Sequence, residues 1–394
     1  MKISIYTLTS QLHDEQAVTA GTRQFLTSLG IDYDLRGADF SDYGQSILSL
    51  IYVRTGGTEG IFRRLMPQIR TADQPVLLLT SGTSNSLAAS MEILSFLRQH
   101  EMGGEILHGQ PSYIVRRIGE LQQLAQARRL LRGCRLGVIG RPSDWLISSD
   151  ADYDEVKRRL GIELVDIALE EVTRAIGATP IDGGREGAMR IYEALKGVVD
   201  EYQLQGFTLR CFDLLASLRN TGCLALARLN SEGLVAGCEG DVPAMLSMMV
   251  VRSLFGISGF QANPARIDSE TGEILLAHCT IPLDMVERYE LDTHFESGIG
   301  VGIRGYMPSG PVTLFKVSGD LSRLFAAEGQ LLRCEARPNL CRTQAIVQLD
   351  NPADARLLLT RPIGNHHILL PGRQSRLLSE MIEKYVDSEC HEGD

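Results

Sequence analysis

The sequence predicts an α/β protein with two doubly wound, Rossmann-like domains followed by a β-rich, barrel-like C-terminal domain. Short apolar strands alternate with amphipathic helices up to about residue 130, and a second alternating series begins at Cys134. After Gly256, helical periodicity gives way to short β-branched runs that Gly, Pro and Asp separate. A chain of 394 residues exceeds the size at which a single core keeps growing. We therefore expect domains at 1–132, 133–255 and 256–394.

The first domain shows the strand and helix order of a parallel sheet. Strands are predicted at 3–7 and 75–80, an apolar stretch lies at 47–53, and helices are predicted at 14–29, 58–66, 86–99 and 111–131. Strands separated by helices of this length form right-handed crossovers, and ligands approach such sheets at the carboxyl ends of the strands. The turn Ser81-Gly82-Thr83-Ser84 follows one of these strands. Ser81 is therefore a candidate substrate contact.

The second domain repeats this pattern. Strands are predicted at 134–140, 208–212, 223–229 and 233–238, and helices at 153–160, 184–203 and 242–255. Trp145, the only tryptophan, comes shortly after the first of these strands. An aromatic ring at that edge could stack on the apolar face of a sugar, which makes Trp145 a candidate substrate contact. Packing between domains is the alternative interpretation.

The third domain is predicted from short strands with turn signals between them. Strands are expected at 273–278, 312–317, 329–334 and 345–349, and a closing helix at 374–386. The segment from Gly300 to Gly305 matches the Gly-x-Gly-x-x-Gly pattern, but Tyr306-Met307-Pro308 follows it and cannot open a helix. A dinucleotide site needs a helix there. We therefore predict a turn or bulge series.

Composition excludes some classes of partner. The net charge is -10, and no Lys/Arg stripe with interleaved aromatic residues offsets it, so a nucleic acid partner is not expected. The first residues lack the pattern of a secretion signal, and no apolar run approaches the ~20 residues that span a bilayer. The eight cysteines are scattered, as is typical of reduced thiols. We expect a cytoplasmic protein without a membrane partner.

The motif Cys238-Glu239-Gly240-Asp241 is the first candidate for chemistry. Glu239 lies in a compact apolar context, where a carboxylate is costly unless it is paired or bound to a metal. Asp241 precedes a helix with Pro243 in its first turn, so it is either a helix cap or a catalytic acid. Cys238 is interpreted as a bystander.

The second candidate is Asn365-His366-His367, near the far end of the chain. Carboxylate and imidazole together suit Mn²⁺, Fe²⁺ or Co²⁺, so Glu239 and His366 are predicted to hold one divalent cation. A buried histidine that serves only the core is the alternative. His278, in Leu276-Ala277-His278-Cys279, is a third candidate, although its local sequence alone favours a structural role.

These motifs together resemble the L-fucose isomerase and L-arabinose isomerase superfamily, especially its shorter fucose-isomerase-like members. The resemblance covers about the last two thirds of the chain. It rests on 141–145, 238–242, 260–263, 276–279, 294–305 and 364–367. It implies two α/β domains and a β-rich third domain, an aldose–ketose isomerase, and a trimer or hexamer with active sites shared between subunits.

The resemblance also implies roles for particular residues. Glu239 matches the first metal carboxylate, His366 the metal histidine, and His278 an additional histidine of the arabinose branch. The second carboxylate falls on Asn263, which can offer an oxygen to Mn²⁺, or to Fe²⁺, Co²⁺ or Mg²⁺, but cannot act as a base. Arg304 is a candidate anchor for a substrate anion or a neighbouring loop. In such isomerases carboxylates move a proton between C1 and C2 through a cis-enediol.

Asn263 keeps two other functions open. The leading prediction is a metal-dependent isomerase of a free sugar, in which Glu239 carries the proton and Asp241 or His278 takes the second catalytic role. A sugar-binding or regulatory relative without turnover is the contrasting hypothesis. An epimerase acting on a related polyhydroxy compound is the third.

Overall fold

A computed structural model of the chain describes residues 2–72, 74–177 and 180–385. It confirms the predicted fold class, with two parallel sheets and a closed antiparallel barrel. The described residues form two compact units, of which the first runs to Arg129 and includes the chain from Glu383, and the second is Leu130–Ile382. The second unit contains both the second sheet and the barrel. The expected division of this part into two domains stays a prediction.

The first unit is built on a five-stranded parallel sheet. Its elements are β1 (Ile3–Leu8), α1 (Glu15–Leu29), β2 (Tyr33–Gly37), β3 (Ser49–Val53), α2 (Glu59–Ile69), β4 (Val76–Leu79), α3 (Ser86–Gln99) and β5 (Gly104–Leu107). The strand order is β2-β1-β3-β4-β5. All residues of β1, β3 and β4 are buried, as expected for strands covered on both faces. Strands β2 and β5, which the sequence pattern missed, are the two sheet edges.

Helix α4 (Pro111–Leu131) leads into the second unit, whose first part is a four-stranded parallel sheet. Its elements are β6 (Arg135–Ile139), α5 (Tyr153–Leu160), β7 (Glu163–Ile167), α6 (Leu169–Ile176), α7 (Arg185–Tyr202), β8 (Gly206–Leu209), α8 (Phe212–Leu218), α9 (Cys223–Ser231), β9 (Val235–Cys238) and α10 (Val242–Phe255). The strand order is β7-β6-β8-β9.

One predicted strand of this unit is wrong. Residues 223–229 form the start of helix α9 and not a strand. Periodicity alone does not separate a short buried strand from a buried helix, and most of this segment is buried. The strong helix propensity of its Leu and Ala residues decides the outcome.

The second part of this unit is the barrel. Its elements are β10 (Phe260–Ile267), β11 (Glu273–His278), β12 (Arg288–Asp292), β13 (Gly302–Tyr306), β14 (Gly310–Val317), β15 (Leu324–Glu335), β16 (Thr343–Leu349), α11 (Pro352–Thr360), β17 (His367–Pro371) and α12 (Ser375–Tyr385). Six strands close it in the order β10-β11-β16-β15-β14-β17, and β12 pairs with β13 in a separate ribbon. Residues 302–305 of the glycine pattern lie in β13 and pair with β12 in continuous register, so the predicted turn or bulge series is wrong for them. The next element is strand β14 and not a helix, as predicted.

One glutamine joins the second sheet to the barrel. The side-chain oxygen of Gln261, on β10, accepts the backbone N–H of Cys238 at 2.9 Å, and its amide nitrogen donates to the carbonyl of Cys238 at 3.2 Å. The carboxyl end of β9 is therefore held against the barrel, and this contact positions the site described below. Among the described helices, none combines the length and apolar character needed to cross a membrane.

Candidate active site

A cavity of about 330 Å³ lies where the carboxyl ends of β6, β8 and β9 meet the barrel. The strand ends contribute Trp145, Cys211, Phe212, Cys238 and Glu239, α9 contributes Cys223, and barrel strands and loops contribute Asn263, His278, Cys279, His294, Glu296, Cys341 and Asn365. Parallel α/β sheets bind ligands at this edge. The volume is in the range of small-molecule sites.

Glu239 begins the turn that leads from β9 into α10. Its φ of 63° is in the left-handed region, which residues other than glycine rarely adopt. Gly240 has the same φ, and a Cβ there would lie 3.1 Å from the carbonyl oxygen of Arg141 and the backbone nitrogen of Ser143. Glycine is therefore required at 240. Backbone strain of this kind is concentrated at functional sites.

Two imidazoles face the Glu239 carboxylate. Its Oε1 atom lies 3.3 Å from Nε2 of His278 and 3.8 Å from Nε2 of His366. Both histidines are buried, and both Nε2 atoms lack a hydrogen-bond partner among the described atoms. Ligand atoms that share one ion about 2.1 Å away lie roughly 3 to 3.5 Å apart. Glu239 and His278 are therefore spaced for one divalent cation. His366 lies slightly farther from Glu239 and is not among the described residues that line the cavity.

Asp241 lies behind this group. The backbone N–H of Ala244 donates to Oδ1 of Asp241 at 2.7 Å, and Nζ of Lys316 lies 3.2 Å from each carboxylate oxygen. Nδ1 of His366 is 2.9 Å from Oδ2 of Asp241. Asp241 is 3% exposed and is not among the described residues that line the cavity. Asp241 therefore caps α10, as one of its two interpretations predicted, and orients His366. Its catalytic role stays a prediction.

These contacts also shift the pKa values of Glu239 and of the two histidines. Burial alone would lower the pKa of His366, but the Glu239 charge and the hydrogen bond to Asp241 raise it to about 9. Burial would raise the pKa of Glu239, but the charge of His366 and the nearby His278 imidazole hold it well below its usual range. Glu239 is therefore ionised at neutral pH. Burial lowers the pKa of His278, which Glu239 opposes only in part.

The same balance applies to Asp241 and Lys316. Burial would raise the pKa of Asp241, but the charge of Lys316 and the hydrogen bond from His366 lower it to about 2. Burial lowers the pKa of Lys316, and Asp241 offsets this in part. Both partners are almost fully buried, so the contact is a desolvated ion pair.

Trp145 and Asn263 both line the cavity, as their predicted roles require. Trp145 is 40% exposed, and the guanidinium carbon of Arg210 lies 4.9 Å from its ring centre. Oδ1 of Asn263 accepts a hydrogen bond from Nδ2 of Asn365 at 2.8 Å. The amide oxygen of Asn263 is thus already partly satisfied by its neighbour, whereas the His278 nitrogens are not.

Two predicted substrate contacts are not among the described residues that line the cavity. Ser81 belongs to the first unit, where its hydroxyl is 2.9 Å from that of Thr83, and its role stays a prediction. Arg304 is on β13, and its Nη2 donates to Oδ2 of Asp292 at 2.8 Å. This bond ties β13 to β12. Arg304 is not among the described residues that line the cavity, which favours the structural part of its prediction.

Several residues of the site were not identified from the sequence. Glu296 and His294 line the cavity, and both lie in the segment 294–305 that contributed to the resemblance, which was the available signal. Burial and the neighbouring His278 lower the pKa of His294 to about 4, so it is neutral at pH 7. Lys316 has no such signal. A single lysine in an apolar strand does not indicate its partner.

Comparisons with known proteins agree in part with this site. No protein-family model matches the chain. It is 25% identical over 281 residues to the sulfoquinovose isomerases of Priestia aryabhattai and Priestia megaterium, covering 64% of this chain. It is 21% identical over 285 residues to the sulfoquinovose isomerase of Alkalicoccus urumqiensis.

The similarity covers only part of each relative. The chain spans about 63% of the length of the two Priestia relatives and about 64% of the Alkalicoccus relative. Similarity to sugar isomerases is consistent with a carboxylate and imidazole site at a sheet edge. The activity of the whole protein is a proposal and follows below.

Proposed function

We propose that this protein is a divalent-metal-dependent aldose–ketose isomerase that acts on a free sugar. The observation that carries this proposal is the ionised Glu239 carboxylate between two buried imidazoles whose Nε2 atoms lack partners. Buried polar atoms are normally hydrogen-bonded, so two unpaired imidazole nitrogens beside one carboxylate favour an ion. The similarity to the sulfoquinovose isomerases supports the reaction class.

Glu239, His278 and His366 would hold the cation, with Asn263 as a further oxygen donor. Mn²⁺ suits this mixture of oxygen and nitrogen ligands, as do Fe²⁺ and Co²⁺, and Mg²⁺ is the harder alternative. When bound, such an ion polarises neighbouring sugar oxygens and stabilises negative charge that develops on them. Lys316 and Asp241 act through His366. The hydrogen bond from Nδ1 to Asp241 fixes the ring so that Nε2 faces Glu239.

The reaction moves one hydrogen from C2 to C1 of the sugar and one from O2 to O1. We assign the carbon-bound proton to Glu239, which takes it from C2 and returns it to C1 through a cis-enediol. Glu296 replaces the carboxylate that Asn263 lacks, because it lines the same cavity and is exposed to solvent. It would receive the proton of O2 and deliver it to O1. General acid–base steps of this kind contribute roughly 10² to 10⁴ in rate.

Two observations bear on the substrate class: the residues that line the cavity, and the similarity to the sulfoquinovose isomerases. Trp145 offers an aromatic face, and Asn263 and Asn365 offer hydrogen bonds to hydroxyl groups. Sulfoquinovose is one candidate, because the relatives act on it by name. The described lining residues include two carboxylates and neither lysine nor arginine. A neutral aldose is therefore the second candidate, because an anionic sugar gains no charge partner from them.

The test is isotope exchange with a panel of sugars. The purified protein is incubated in D₂O with Mn²⁺ and with sulfoquinovose, another acidic hexose, L-fucose or L-arabinose. We expect deuterium at C2 of one aldose and formation of the matching ketose. A chelated sample is the control. No exchange with any sugar, at a metal content near one ion per chain, would overturn the proposal.

A sugar-binding protein without turnover is the second candidate function, and Asn263 in place of a carboxylate favours it. Calorimetry with the same panel separates the two functions, because binding without exchange at C2 supports the second. An epimerase would exchange the proton and yield an aldose of inverted configuration. Product analysis by NMR distinguishes that outcome.

The resemblance also leads us to propose a homo-oligomer, a trimer or hexamer, in the cytoplasm. Light scattering of the full chain measures the assembly. A monomer that retains isomerase activity would contradict active sites shared between subunits.

A further inference from the structure

Several cysteines line the cavity. Of the seven cysteines that the structure describes, five line it: Cys211, Cys223, Cys238, Cys279 and Cys341. They come from the ends of three strands, the start of α9 and the segment before β16. Sγ of Cys211 lies 3.3 Å from Sγ of Cys238. The proposed isomerase reaction uses none of these thiols.

One of them belongs to a compact ligand group. Sγ of Cys238, a carboxylate oxygen of Glu239 and a ring nitrogen of His278 lie within 4.8 Å of one another. Cys238 and His278 are each 2% exposed. Both ring nitrogens of His278 lack a hydrogen-bond partner among the described atoms. A buried, unpartnered imidazole that lines the cavity indicates a ligand, and the neighbouring Cys238 thiol indicates which class of ion can bind there.

This donor set differs chemically from the one assigned to the isomerase cation. Thiolate with imidazole and carboxylate suits Zn²⁺, whereas Mn²⁺ and Mg²⁺ favour oxygen-rich sites. Three protein ligands with one open position are typical of zinc sites that remain accessible. We propose that the cavity binds a thiophilic divalent cation of the zinc class through Cys238, Glu239 and His278.

Binding requires a change at the thiol. A metal ion binds the thiolate form of cysteine, so the proton of Cys238 has to leave. The sulfur–metal bond forms as this proton leaves for the solvent. Oxidation and reduction play no part in the step.

The two ions cannot occupy the site together, because both would use Glu239 and His278. This consequence rests on the proposed isomerase function. The affinity of nitrogen, oxygen and sulfur sites is generally higher for Zn²⁺ than for Mn²⁺. Zn²⁺ therefore displaces Mn²⁺ and inhibits turnover. The protein's activity would then depend on which of the two ions is available.

The test uses Co²⁺ as a spectroscopic probe of the chelated full-length chain. Thiolate ligation gives a sulfur-to-cobalt charge-transfer band in the near ultraviolet, which we expect in the wild type and not in Cys238→Ser. Cys134→Ser is the matched control, because Sγ of Cys134 donates to the carbonyl of Leu130 at 2.8 Å outside the cavity and a serine hydroxyl can do the same. We also expect Zn²⁺ affinity to fall more than about tenfold in Cys238→Ser alone.

A wild type without the band, or equal Zn²⁺ affinity in Cys238→Ser, would overturn the proposal. If Cys238→Ser does not fold, ¹¹³Cd NMR of the wild type decides, because a resonance typical of oxygen and nitrogen ligands alone excludes the thiolate. Deuterium exchange with Mn²⁺ is measured on the same preparation. The band without exchange refutes only the isomerase function, and exchange without the band refutes only the zinc-class site.

Discussion

The two parallel sheets differ in how the polar residues at the carboxyl ends of their strands are hydrogen-bonded. At the edge of the first sheet the polar residues after the strands bond to one another: Nε of Arg54 donates to Oγ1 of Thr9 at 2.6 Å, and the hydroxyl of Thr80 donates to that of Ser86 at 2.7 Å. At the edge of the second sheet, Glu239 faces imidazole nitrogens that have no partner among the described atoms. Topology is therefore not sufficient to make a site.

The difference comes from what faces each edge. Around Glu239, barrel strands bring histidines that β9 and its neighbours do not carry, and the cavity keeps their nitrogens apart from other donors and acceptors. Satisfied hydrogen bonds stabilise a fold, whereas unsatisfied buried atoms are a cost that a bound ligand removes. Substitutions in the two edges should therefore affect different properties, stability in the first and activity or metal content in the second.

Glu239→Gln has the largest expected effect. The amide keeps the shape of the side chain but cannot accept the C2 proton, so we expect isomerisation to fall by at least roughly 10² to 10⁴. Deuterium exchange at C2 measures it. Glu105→Gln is the control in the first unit, where Glu105 pairs with Arg117 at 2.7 Å. Glu105→Gln should lower the melting temperature and leave the isomerisation rate unchanged. A lower rate at an unchanged melting temperature would contradict the proposed difference between the two units.

His366→Gln and His367→Gln form a matched pair of adjacent residues. His366 faces Glu239, whereas Nδ1 of His367 is 3.0 Å from the carbonyl of Asn365 and its ring packs against Phe325. We expect Mn²⁺ affinity to fall more than about a hundredfold in the first variant only, because loss of a ligand exceeds loss of its outer partner. Calorimetry measures both affinities. Equal losses would show that neither histidine is a ligand.

Lys316→Met separates positioning from stability. It breaks the buried ion pair and leaves the Asp241 carboxylate with His366 as its remaining ionisable partner. Removal of one partner of a buried pair costs about 3 to 5 kcal/mol in unfolding free energy. Mn²⁺ affinity should fall about 10- to 100-fold, because Asp241 no longer holds His366 in place. The double variant Lys316→Met, Asp241→Asn removes both charges and should regain stability but not affinity. Recovery of both together would indicate a purely structural pair.

The pH dependence of stability follows from His366 in the chelated protein. Its pKa is raised from 6.5 to about 9 by folding, so its contribution is complete below pH 6.5 and is lost as the pH rises through 9. A shift of this size corresponds to on the order of 3 kcal/mol. Asp241, with its pKa lowered to about 2, contributes above its unfolded pKa and loses that contribution in acid. Urea unfolding from pH 5 to 9 should show this decline in the wild type, and a much flatter profile in His366→Gln.

Ser81→Ala has the smallest expected effect. It tests whether the carboxyl end of the first sheet takes part in sugar binding. If the hydroxyl contacts the sugar as predicted, loss of one neutral hydrogen bond of about 0.5 to 1.5 kcal/mol raises KM roughly two- to tenfold at constant kcat. Initial rates across a range of sugar concentrations measure it. An unchanged KM would assign recognition to the second unit alone.

Most central elements of the fold could be predicted from local patterns. Helices α3 and α10 were predicted with the observed ends, since Asp241 and Pro243 mark the start of α10 and Gly256 its end. Strands β2 and β5 lie at the edges of their sheet, and β12 and β13 form a two-stranded ribbon. Such strands carry polar residues and lack a clear apolar run, so the pattern missed them.

The sequence by itself determined the fold class, the carboxyl edge of β9 as the place of chemistry, and Glu239 as a carboxylate too costly to bury alone. Only the tertiary structure decided that His278 lies closer to Glu239 than His366 does, and that Lys316 and His366 meet Asp241 across 75 and 125 residues of sequence. The physical reason is the sequence distance over which each kind of interaction acts. Propensity and periodicity act over a few residues, whereas these contacts depend on how the barrel closes against the sheet.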